Sequence, residues 1–157
     1  MSRKDRDNYF RYDEQPIDQQ VGERRKRVKA AWRCEWRYHG MKRFMEVVVD
    51  YEYDGGSIPR PGWTLLGILP SGQGDGGFLP HDVLYRAKGG KLPEKYEGCT
   101  VVNENGNAVI VSRREADWVM KAGLLYDGIP ARRAVPATGV VRALGWYYWG
   151  KPMPYKD

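Results

Sequence analysis

The chain contains two histidines, His39 and His81, and only His81 has neighbours that could support chemistry. It opens the run His81-Asp82-Val83-Leu84-Tyr85. On a helix, His81 and Tyr85 stand at i and i+4 on one face, while Asp82 is turned about 100° away. An imidazole so placed is a candidate general base, and Tyr85 is its candidate partner. Asp82, with Asp54, is a candidate ligand of a divalent cation such as calcium. A carboxylate from a second helix would be needed to fix the imidazole tautomer, and Asp117 is best placed to supply it. The expected catalytic set is therefore His81, Asp82, Asp117 and Tyr85. The plainer alternative makes His81 and Asp82 a helix cap and lets the aspartates bind arginines such as Arg60 or Arg86. The sequence has no HExxH, GxSxG, EF-hand or zinc-ribbon pattern. The glycine-rich stretch Ser71 to Gly77 lacks both the Lys-Ser/Thr of a phosphate loop and the dinucleotide spacing.

These residues need elements to hold them. From Trp32 the pattern has period two: Trp32, Cys34, Trp36 and Tyr38 alternate with Arg33, Glu35, Arg37 and His39. That is a half-buried strand. Gly40 permits a turn, and Val47, Val49, Tyr51 and Tyr53 alternate again, so the two stretches are expected to pair as an antiparallel hairpin. Trp63 to Leu69 suits a short helix or buried turn. Pro80 suits the start of the helix that carries His81 and stops by Gly89-Gly90. A second hairpin is expected around Asn105-Gly106, joining Thr100 to Val102 with Ala108 to Val111. Ser112-Arg113-Arg114-Glu115 has capping-box spacing for a helix from Arg113 to Leu125, on which Asp117, Met120 and Leu124 share a face. A last helix is expected over Ala137 to Trp149, with a stripe of Val141, Leu144, Trp146 and Tyr148. No internal repeat is present. The expected fold class is α+β, with small antiparallel hairpins packed against about three helices.

Composition limits what else the chain can be. Its 157 residues suffice for one domain with a real core, and 41% hydrophobic with 29% charged residues is a globular balance. No stretch approaches the roughly 18 apolar residues of a membrane span, and the first residues are too polar for a signal peptide. Cys34 and Cys99 are expected to be buried free thiols. The net charge is +6, of which residues 1 to 29 contribute +3 from nine Lys/Arg and six Asp/Glu. Residues 1 to 30 therefore read as a basic, extended or partner-ordered arm, ahead of a single globular domain from 31 to 157. Its expected partner-binding residues are Tyr9 and Phe10 as anchors and Arg24, Arg25, Lys26 and Arg27 as contacts to an acidic protein face or, weakly, to nucleic acid.

Four blocks in order carry a resemblance: Asp54-Gly55-Gly56-Ser57-Ile58-Pro59-Arg60 with Trp63, then His81-Asp82-Val83-Leu84-Tyr85, then Ser112-Arg113-Arg114-Glu115-Ala116-Asp117, then an aromatic helix with Gly145-Trp146. Over roughly residues 45 to 149 the chain resembles the phage and prophage family catalogued as domain of unknown function 1353. The resemblance implies a phage origin and little established biochemistry. The basic arm and the glycine-rich insertion before His81 depart from the family pattern. His81-Asp82-Val83-Leu84-Tyr85 is also similar to the active helix of secreted phospholipases A2, with Leu84 in place of a cysteine. That similarity implies that His81 activates a water, Asp82 ligates calcium, and Tyr85 with Asp117 orients the imidazole. The disulfide framework and calcium loop of those enzymes are absent. Two functions follow as expectations. The first is a virion-associated tail, connector or capsid accessory protein that docks on neighbouring virion proteins, found in the virion or in the host cytoplasm before assembly. The alternative is a phage hydrolase of an envelope component, peptidoglycan or lipid, with His81 as base.

Overall fold

The computed structural model describes residues 7–21, 25–54 and 74–150. It is an α+β fold of antiparallel sheets and helices. Seven strands are described: β1 (Tyr9–Arg11), β2 (Asp18–Gln20), β3 (Arg25–Val28), β4 (Trp32–Tyr38), β5 (Met41–Val47), β6 (Glu52–Asp54) and β7 (Thr100–Val102). They form one sheet in the order β1-β4-β5-β7 and a second in the order β2-β3-β6. Three helices follow the sheets in space: α1 (Asp75–Arg86), α2 (Arg113–Tyr126) and α3 (Ala131–Leu144). The short helix expected at Trp63 to Leu69, the turn after Asp54, Arg24 and the side chain of Asp54 lie outside the described residues.

β4 follows its alternation, with Trp32, Cys34 and Trp36 buried and Arg33 exposed. Its hairpin partner differs from the expected one. His39 and Gly40 both adopt positive φ, 49° and 80°, which makes a two-residue turn and starts the return strand at Met41. The residues paired with β4 are thus Met41–Val47, and Tyr53 belongs to the other sheet beside Lys26. Polarity hid β5 because its inward face is Arg43, Met45 and Val47, while Phe44 points out. The second hairpin shrinks to β7 and a single bridge from Val102 to Ala108. Cys34 and Cys99 are buried free thiols.

The expected arm is instead part of the body. β1 pairs with β4 through Tyr9 opposite Arg37 and Phe10 opposite Trp36, and β2 and β3 build the second sheet with β6. Phe10 and Tyr12 are buried, with Tyr12 4.7 Å from Tyr126 and 5.5 Å from Trp32 between ring centroids. The Tyr126 hydroxyl donates to the Tyr12 carbonyl, and the Trp32 indole donates to that of Glu14. Three-residue strands bury little surface each, so composition alone marks them as loop. Their aromatic anchors find partners in this chain, which offsets the ordering entropy.

α1 begins at Asp75, before Pro80, and thus incorporates the end of the glycine-rich stretch. The reason is a close helix crossing. A Cβ on Gly77 would lie 2.7 Å from the Met120 carbonyl and the Leu124 amide, and one on Gly123 would lie 2.5 Å from the Gly77 Cα. Gly77 and Gly123 let α1 and α2 approach at backbone distance, so these glycines serve packing. α2 starts as expected, with the Ser112 hydroxyl accepting from the Glu115 amide. The Glu115 side chain does not close the capping box, because it accepts from the Trp36 indole at 2.9 Å and from Arg43 at 3.3 Å. α3 starts at Ala131, six residues before the expected position, after Pro130 and with Pro136 inside, and it gives way to a 3-10 turn over Gly145–Tyr148. Of the expected stripe only Val141 is fully buried, while Leu144 and Trp146 are exposed.

Candidate functional site

The crossing of α1 and α2 brings His81, Tyr85 and Asp117 together. Asp117 lies in the second turn of α2, on the face with Met120 and Leu124, and all three are buried. The His81 Nε2 lies 3.2 Å from Asp117 Oδ1, and the Tyr85 hydroxyl donates to the same oxygen at 2.5 Å. The His81 and Tyr85 rings overlap at 4.2 Å between centroids, as i and i+4 on one helix require. Asp117 Oδ2 accepts from Arg142 of α3 at 2.9 Å, with Arg113 at 3.8 Å. Three helices therefore converge on one carboxylate.

The electrostatics follow from those donors. Burial pushes the Asp117 carboxyl up, but the hydrogen bond and charge of the His81 ring when protonated, with hydrogen bonds from Tyr85 and Arg142, outweigh it and hold the group below the usual carboxylate value. The Tyr85 phenol is pushed well up, first by burial and then by the Asp117 charge, so it stays a neutral donor. An ionised carboxylate accepts only, so Nε2 carries the proton in the contact with Asp117. In the neutral form of the ring Nδ1 is an acceptor. It is buried and has no hydrogen-bond partner among the described residues, and the whole side chain has no solvent exposure.

Asp82 faces the other way. Its Oδ2 lies 3.2 Å from Arg86, whose guanidinium stands 5.2 Å over the Tyr51 ring. This is the arginine pairing that the sequence also allowed. Calcium takes six to eight oxygen ligands. Asp54, the other expected ligand, has its side chain outside the described residues, and no group of three metal-ligating side chains occurs among the described residues.

The expected partner-binding residues are placed in the fold itself. Phe10 is in the core, and Tyr9 donates to Glu35. Lys26 is buried and meets both oxygens of Asp75 at 2.8 and 2.9 Å. Arg27 binds Glu52 at 2.7 Å and Arg25 approaches the same carboxylate at 3.6 Å. A strand pair explains their conflict with the arm reading: inward Lys26 needs a buried counter-charge, and Asp75 in the first turn of α1 provides it.

Sequence reasoning missed Arg142 and Arg113 as partners of Asp117. Arg113 was findable, since it stands four residues before Asp117 on one helix. Arg142 was not, because its contact depends on how α3 crosses α2. It also missed why Gly145 is small: a Cβ there would lie 2.9 Å from the Tyr85 hydroxyl. Comparison of the chain with protein-family models, with curated proteins and with solved structures finds no match in any of the three.

Proposed function

We propose that His81, Asp117 and Tyr85 form the general-base centre of a phage-encoded hydrolase that acts on an envelope component. One observation carries this reading: Nε2 is tied to a carboxylate while Nδ1 is buried with no hydrogen-bond partner among the described residues. A buried acceptor left unpaired costs about 1–3 kcal/mol. A general base needs a lone pair held ready for its proton. In the reaction a water gives a proton to Nδ1 as its oxygen bonds to an acyl carbon. The proton then passes to the leaving atom as the acyl bond breaks. Asp117 stabilises the transient imidazolium, and Tyr85 and Arg142 keep Asp117 oriented. The water-activating half of the phospholipase similarity agrees with this arrangement.

The complete enclosure of His81 and Asp117 favours a second reading. In it the network specifies the fold of a virion component, and the function lies in surface contacts. The two readings separate in one experiment. Hydrolysis of phospholipid vesicles and of peptidoglycan is measured for the full chain and for His81→Asn, beside their melting temperatures. Loss of hydrolysis with a folded variant supports the base. Absence of hydrolysis in the unmodified chain, together with its recovery in purified phage particles, supports the structural component.

A further inference from the structure

α3 and the 3-10 turn after it carry two apolar stripes, and only one is covered. The buried stripe, Ala134, Ala137, Thr138, Val141 and Gly145, packs toward α2 and Tyr85. The other is displaced by one residue: Val135, Pro136, Gly139, Ala143, Trp146 and Tyr147 recur at helical spacing on the outward face. Its large members are strongly exposed, Val135 at 52%, Trp146 at 66% and Tyr147 at 53%. A solvent-facing helix surface ordinarily carries Glu and Lys, and this one carries neither.

Charge selects the occupant. Between Gly128 and Gly150 the chain has no Asp or Glu, but it has Arg132, Arg133 and Arg142. Arg132 and Arg133 are exposed in the first turn of α3, at the opposite end from Trp146 and Tyr147. An anionic bilayer offers both complements, phosphate oxygens for guanidinium groups and a headgroup boundary for indole and phenol rings.

We infer that the outward face of α3 docks on an anionic phospholipid bilayer. The same helix presents Arg142 to Asp117 on its inward side. The inference stands apart from the hydrolytic reading, because binding needs the face and hydrolysis needs His81.

The test is co-sedimentation of the full chain with vesicles of phosphatidylglycerol and of phosphatidylcholine. The expected result is binding to phosphatidylglycerol that weakens at high salt, with little binding to phosphatidylcholine. Arg132→Glu and Trp146→Ser should each weaken it about tenfold or more, with melting temperatures unchanged since both side chains are exposed. His81→Asn should bind as well as the unmodified chain. Absence of binding to phosphatidylglycerol, or binding that neither surface variant weakens, overturns the inference. Self-association or capture of an acidic protein that these variants abolish, with no vesicle binding, also overturns it.

Discussion

Two buried aspartates, Asp75 in the first turn of α1 and Asp117 on α2, have opposite fates. Asp117 receives His81, Tyr85 and Arg142 and is held below the usual carboxylate value despite burial. Asp75 is buried as thoroughly, but burial dominates there and Lys26 only partly offsets it, so its carboxyl is pushed up to about 6. Asp18 lies close to Asp75 and opposes its charge, whereas no second carboxylate faces Asp117 in its hydrogen-bonded set. Burial alone therefore does not decide whether a carboxylate is charged. The number and sign of the groups that reach it do. Asp117 is built to remain an anion beside an imidazole, and Asp75 is a fold contact near its titration point.

The largest expected effect that could break this contrast is on stability. Asp117→Ala leaves Arg142, Tyr85 and the Nε2 proton of His81 without their acceptor and should cost about 3–5 kcal/mol in urea unfolding. A cost near zero would mean that the three helices do not depend on that carboxylate. Gly123→Ala comes next, at about 1–3 kcal/mol, because its Cβ would meet the Gly77 backbone and force α1 from α2. If the variant melts with the unmodified chain, the close crossing that carries His81 to Asp117 is wrong. Tyr85→Phe should cost about 1.5–3 kcal/mol by removing a hydrogen bond to a charged group. In hydrolysis assays the same variant should lower turnover and leave substrate affinity nearly unchanged.

The pH dependence sharpens the contrast between the two carboxylates. Asp75 and Asp127 are both pushed up to about 6, chiefly by burial, from a usual value near 3.8. Between those values the folded state holds the protons more tightly than the unfolded state, so their contribution to stability falls as pH rises from about 4 to 6. Asp117 acts in the opposite sense. Its contribution is present above the usual carboxylate value and is lost only as pH falls below it. Urea midpoints at stepped pH should show this: Asp75→Asn with Asp127→Asn removes the decline between pH 4 and 6, and the loss below pH 4 persists. A double variant that keeps the full decline would contradict the assignment.

How much of this was legible in the sequence depended on range. The i and i+4 placement of His81 and Tyr85, the Ser112 cap and the inward face of Asp117 are local and were readable. The return strand was not, because Arg43 is buried against Glu115 while Phe44 is exposed, which inverts the polarity pattern. Residues 9–28 read as an arm because their strands have three or four residues and their partners lie elsewhere in the chain. The glycines at 76 and 77 read as a loop because the helix they allow to approach, through Gly123, is nearly fifty residues away. The start of α3 was hidden by Pro136, which sits inside the helix. For the site, only the helix-to-helix geometry could reveal that Asp117 holds Nε2 and that Nδ1 has no partner among the described residues.

That choice of nitrogen is the centre of the account and can be read directly. Nitrogen-15 NMR of the labelled chain at pH 8 locates the proton on the His81 ring, with His81→Asn assigning the signals. The account predicts a proton on Nε2 and a bare Nδ1, in a ring whose Nε2 signal shifts in Tyr85→Phe. A proton on Nδ1 and a bare Nε2 would contradict it, since Asp117 could not then be the acceptor and the free lone pair would be on the wrong side of the ring.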